Sequence, residues 1–126
     1  MQAQQKGHII NIGSIAGKEV YANGNVYCAS KHAVDAISKA MRIDLIQTGI
    51  KVSEINPGLV ETEFSEVRFK GDQERAAKVY QGFQPLQPED IADIIHFVLT
   101  RPYHVNIADL IVFSTAQASS TLVKRI

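Results

Sequence analysis

Tryptophan is absent from this chain of 126 residues, cysteine occurs once and proline four times, and 13 basic side chains balance 13 acidic ones. Each scarcity excludes something. The lone Cys28 can form neither an internal disulfide nor a cysteine-based metal site. With zero net charge and no clustered Lys or Arg, neither a nucleic-acid surface nor a polybasic membrane surface is expected. No run approaches the 18 or more apolar residues of a membrane span, and Met1–Lys6 lacks the apolar core of a secretory signal. No Asn-x-Ser/Thr acceptor occurs. His8, His32, His96 and His104 share no metal-ligand spacing, so no metal is expected. What remains, with 45% hydrophobic residues, predicts one soluble, cytoplasmic domain with a core of its own.

The order of the chain predicts α/β architecture. Residues 7–13 form a β-branched run closed by Gly13, which reads as a buried strand. Ser14 to Gly24 reads as a loop. From Asn25 to Thr48 there is no Pro or Gly, and apolar residues recur at helical spacing on more than one face. A helix of that length is ~36 Å long, with Gly49 in the place of a left-handed cap. Residues 50–56 form a second strand, stopped by Pro57-Gly58. The charged stretch 59–86 reads as irregular, with helix around 72–81. Pro88-Glu89-Asp90 opens a helix whose apolar stripe is Ile91, Ile94, Ile95, Val98 and Leu99. Residues 108–113 form a third buried strand. Short apolar strands joined by crossover helices imply a parallel sheet, with chemistry at the carboxyl ends of the strands.

Three side chains converge at those ends. Ser14 follows the first strand, while Tyr27 and Lys31, four apart on the long helix, share one face. A phenol with an ordinary pKa of about 10 is a poor base at neutral pH. An ammonium about 5 Å away favours a phenolate by ~3 kcal/mol at an effective dielectric of about 20. Tyr27 then suits general acid/base work, and Ser14 suits hydrogen bonding to a substrate oxygen. A hydrolytic role for Ser14 is not expected, because the run Gly13-Ser14-Ile15-Ala16-Gly17 is not a nucleophile elbow. Cys28 reads as a small buried residue, and Glu61 and Glu63 as a solvated pair.

In order, Asn11-Ile12-Gly13-Ser14-Ile15-Ala16-Gly17, Tyr27-Cys28-Ala29-Ser30-Lys31 and Asn56-Pro57-Gly58-Leu59-Val60-Glu61-Thr62 resemble the second-half motifs of the short-chain dehydrogenase/reductase family. The resemblance implies that Ser14, Tyr27 and Lys31 are catalytic. It implies that Ile12, Tyr27, Lys31, Pro57, Gly58, Val60 and Thr62 meet the nicotinamide half of a dinucleotide. Further segments, including Glu63-Phe64-Ser65, Val67-Arg68-Phe69-Lys70-Gly71-Asp72 and His104-Val105-Asn106-Ile107, look like the NADP-dependent 3-hydroxy acid dehydrogenases. That likeness implies NADP as cofactor, with NAD not excluded, and serine or 3-hydroxypropanoate as substrate; another carbonyl substrate is the alternative. Arg68 is the candidate for the substrate carboxylate, its alternative being a surface charge in a lid.

The family's glycine-rich Thr-Gly-x-x-x-Gly-x-Gly turn and its Asn-Asn-Ala-Gly segment are missing. The three strands therefore match the last three of a seven-stranded doubly wound Rossmann sheet, and residues 1–126 read as its C-terminal catalytic half, with Met1 inside the parent domain. The first strand is expected to present an unpaired apolar edge. The second apolar face of helix 25–48 implies a homo-oligomer, a tetramer in the family. By itself the chain is expected neither to hold NADP tightly nor to turn over. The reading from another class is a short non-catalytic descendant acting through protein contacts.

Overall fold

The strands form where β-branched residues run together, and one of them is far more enclosed than the others. A computed structural model describes residues 1–126 as β1 (Gly7–Ile12), α1 (Asn25–Asp44), β2 (Ile50–Pro57), α2 (Phe64–Arg68), α3 (Gln73–Tyr80), α4 (Pro88–Leu99) and β3 (Asp109–Val112). The sheet is parallel throughout, in the order β1-β2-β3. Gly7–Ile12 lie beside Ile50–Ile55, and Glu54–Pro57 beside Asp109–Val112. The expected α/β class and parallel three-stranded sheet are therefore present.

Only β2 has a strand on each side, and its residues from Val52 to Pro57 are buried. β1 is the unpaired edge expected of the first strand, although it is half-exposed rather than buried, and β3, also expected to be buried, is the other half-exposed edge. An apolar run cannot by itself reveal how many neighbours a strand will have.

One helix covers each face. On one face, Ile55 packs with Ile91 and Val98 of α4, flanked by Ile10, Ile94, Ile95, Leu110 and Val112. Four of the five residues in the α4 stripe predicted from the sequence face this core; Leu99, at the last turn, is exposed. Pro88 stands in its first turn, and Gln87 and Asp90 close a capping box, the Gln87 amide donating to Asp90 Oδ2 at 2.8 Å. The face under α1 is polar instead. Asn11 Nδ2 donates to Ser38 Oγ at 2.9 Å, and Asn56 Nδ2 donates to Asp109 Oδ1 at 2.7 Å. Lys18 joins Asp35 of α1 to Asp109 of β3.

Two boundaries differ from the sequence pattern. The long helix ends at Asp44 rather than Thr48, and a 3-10 turn, Ile46–Thr48, follows it. Gly49 (φ 70°) ends that turn, where a side chain would be strained. The stretch 59–86, read as irregular apart from 72–81, also contains α2. Thr62 Oγ1 accepts the Phe64 amide at 3.2 Å to open α2. Lys70 and Gly71, both at positive φ, stop it.

Candidate active site at the carboxyl ends of the strands

The site begins with a backbone approach. Gly13 leaves the end of β1, its amide donating to Ile55 O at 2.8 Å. A Cβ there would overlap Asn56 Oδ1 and Glu54 Oε1, so only glycine lets the chain pass so close to β2. Asn56, fully buried in β2, uses Oδ1 to accept the Ser14 amide at 3.1 Å. The Ser14 hydroxyl oxygen accepts the Ala16 amide at 3.0 Å, capping the turn Ile15–Gly17. Its hydroxyl proton remains available to a ligand.

That turn is pressed onto α1, since a Cβ at Gly17 would stand 2.7 Å from Lys31 O. The contact fixes the distance between Ser14 and the first two turns of the helix. Lys31 Nζ donates to Ile12 O at 3.3 Å and lies 6.0 Å from the centre of the Tyr27 ring. Tyr27 in turn packs at a tilt against Phe64 of α2, ring centres 5.5 Å apart.

The opposite wall is the segment after β2. Gln117 Oε1 accepts the Leu59 amide at 2.8 Å. A bridge from Val60 to Leu86 holds the segment from the other side, with the Glu61 amide donating to Leu86 O. Tyr80 Oη donates to Val60 O at 2.9 Å and is itself 2.9 Å from Ser65 Oγ of α2. The Val60 amide has no partner within the chain.

Helices α2 and α3 roof the space between these walls, leaving a cleft of about 420 Å³. Ile12, Ser14, Tyr27, Lys31, Pro57, Gly58, Val60, Thr62 and Arg68 all line it. The nine residues singled out from the sequence are thus brought to one place. Arg68 is exposed and makes no ion pair. Its guanidinium carbon lies 5.6 Å from the Tyr21 ring centre and 5.7 Å from that of Tyr27.

Three residues of the site carried no sequence signal of their own, Tyr21, Tyr80 and Gln117, and a fourth, Asn56, stood in a motif without a role assigned to it. Tyr21 lies in an aperiodic loop, and Asn56 could be ranked only by knowing that it would be buried beside Ser14. Burial pushes the Tyr21 phenol above its ordinary value, against the pull of Arg68. Burial likewise raises Glu54, beneath Gly13, although Lys18 opposes the shift.

The profile of the short chain dehydrogenases matches residues 1–73. The NADP-dependent 3-hydroxy acid dehydrogenase of Schizosaccharomyces pombe is 50% identical over 123 residues, 98% of this chain and 48% of that protein. The enzyme of the same description in Escherichia coli K12 is 48% identical over 123 residues, 97% of this chain and 50% of that protein. Among solved structures, the closed form of a serine dehydrogenase complexed with NADP+ superposes with a TM-score of 0.92 at 46% identity, covering 100% of this chain and 51% of its own. The chain spans about half the length of the curated relatives it matches. No helix is long and apolar enough to cross a membrane.

Proposed function

This chain belongs to the short-chain dehydrogenase family, and from that membership we propose that residues 1–126 form the catalytic half of an NADP-dependent dehydrogenase of 3-hydroxy acids such as serine or 3-hydroxypropanoate. One observation carries the reading: Ser14, Tyr27, Lys31 and an unpaired Arg68 face a single cleft whose far wall is the segment Pro57–Thr62.

The residues fit the nicotinamide half of the cofactor. The Val60 amide lacks a partner in the chain, the Thr62 hydroxyl stands two residues on, and Lys31 lines the same cleft. These groups and Ile12, Pro57 and Gly58 would hold the carboxamide, ring and ribose. When bound, NADP+ supplies the hydride acceptor. The chain's own residues handle the proton. Tyr27 Oη takes it from the substrate hydroxyl as the C–H electron pair leaves for the nicotinamide, and Ser14 donates a hydrogen bond to the same oxygen. Lys31 places positive charge 6.0 Å from the centre of the Tyr27 ring. Arg68 pairs with the substrate carboxylate, for which guanidinium has matching geometry.

The reading is tested by NADPH formation with serine and 3-hydroxypropanoate in the full protein. Arg68→Ala should raise KM for either acid roughly 10- to 100-fold, the equivalent of losing a hydrogen bond to a charged group. An unchanged KM would return Arg68 to the role of a surface charge.

The reading includes self-association through α1. Val26, Ile37 and Ile43 are 77%, 55% and 74% exposed and, with Ala29, Ala33 and Ala40, lie along one side of the helix at spacings of three and four. Sedimentation of the full protein should show an oligomer that Ile37→Asp lowers in mass. A parent that sediments as a monomer would refute it.

A further inference from the structure

Arg68 sits at the end of a five-residue helix, exposed and without an acidic partner, where a long side chain would ordinarily sample many rotamers. Its guanidinium is nevertheless flanked by three rings, Tyr21 and Phe69 at 5.6 Å and Tyr27 at 5.7 Å. Phe69 is its neighbour in the chain and moves with it, so only the other two can hold it in place. Tyr27 cannot be adjusted for this purpose, because its place on α1 is set by the proton it handles. Tyr21 is free to serve it. The Tyr21 ring is half-buried and lines the cleft. It rests on Gly24, where an added Cβ would overlap the ring edge. Gly24 has φ −114°, a conformation open to any residue. What glycine contributes there is the space under the ring, beyond any freedom of the backbone.

We infer that Tyr21, seated on Gly24, positions the Arg68 guanidinium for the substrate carboxylate and thereby sets the preference for hydroxy acids over uncharged alcohols. The inference rests on the proposed role of Arg68. The ring acts through its π face, which attracts a guanidinium, and by occupying the volume into which Arg68 would otherwise swing. Burial disfavours the Tyr21 phenolate, so the ring adds no competing anion beside the carboxylate.

The test compares kcat/KM for 3-hydroxypropanoate with that for 1,3-propanediol in the full protein, a pair differing in the carboxylate. Tyr21→Leu should lower the acid preference roughly 3- to 30-fold, the range a cation–π contact spans between exposed and desolvated sites. The loss should appear in KM for the acid, with kcat within about twofold. Tyr21→Phe keeps the ring and loses only the phenol's contact with Arg68, so it should keep most of the preference. Gly24→Ala leaves every reacting group in place but displaces the ring, and should reproduce the loss even if the leucine variant fails to fold. Arg68→Ala separates the two layers. Preference lost in Arg68→Ala but retained in Tyr21→Leu and Gly24→Ala overturns the role of Tyr21 alone. Preference retained in Arg68→Ala overturns the carboxylate reading beneath it. Equal losses in the phenylalanine and leucine variants would also overturn positioning by the ring.

Discussion

Glu54 is the residue whose surroundings least match its chemistry. It has no exposed surface, and neither carboxyl oxygen has a hydrogen-bond partner. Burial raises its pKa, Lys18 works against the shift, and Asp35 and Asp109 add to it. The folded state therefore holds this proton more tightly than the unfolded state. Its contribution is fully present below the ordinary value near 4.5 and is lost as pH rises through the raised value. Glu54→Gln, which keeps the shape without the ionisation, should gain on the parent as pH climbs. Urea midpoints between pH 4.5 and 8 check this, and parallel curves would contradict it. His8 has the opposite sign. Burial and then Lys51 lower its pKa, so its contribution holds above about 6.5 and is lost as pH falls through the lowered value. At this scale the sequence pointed to Ser14, Tyr27 and Lys31 through the motifs that resemble the family's, and the structure brings the three to one cleft. It did not disclose Tyr21, whose importance comes from a ring resting on a glycine and facing an arginine 47 positions later.

Among the elements, those with enough turns to show a period were legible and the short one was not. α4 shows its stripe over twelve residues, whereas α2 has five, too few for periodicity to separate helix from loop. α1 was read four residues too long because Leu45–Thr48 lacks Pro and Gly. The chain leaves α geometry at Leu45 for a 3-10 turn, where the Thr48 hydroxyl donates to Leu45 O at 2.7 Å. The strands' apolar character and the unpaired edge of β1 were visible, the half-exposure of β3 was not, and β2 alone lies between two others. That position makes Ile55, fully buried against α4, the side chain whose loss should cost the sheet most. Ile55→Ala should destabilise by about 2–5 kcal/mol, read as a lowered denaturant midpoint at unchanged slope. A loss below about 1 kcal/mol would mean that the α4 face can collapse around the cavity. The polar α1 interface has another task. Its buried Asn56 holds the loop that carries Ser14, so packing there serves the site directly.

For the whole molecule, the surface left apolar is as informative as the core. Both outer strands are half-exposed, α1 carries an uncovered stripe, and the chain covers about half of its relatives. In the proposed function, residues 1–126 supply one wall for the nicotinamide and the groups that move a proton. They contain no glycine-rich turn at the start of a helix to receive a pyrophosphate. The polypeptide of residues 1–126 alone should therefore show no tight NADP binding by calorimetry, and saturable micromolar binding would contradict that division of labour. The central claim is that Tyr27 moves the proton while NADP+ accepts the hydride. The most direct measurement is the rate of NADPH formation from 3-hydroxypropanoate by the full protein and by Tyr27→Phe, with folding of both checked by circular dichroism. The account predicts turnover by the parent and a loss of roughly 10²- to 10⁴-fold in the variant. A Tyr27→Phe protein that turns over at the parent's rate would contradict it.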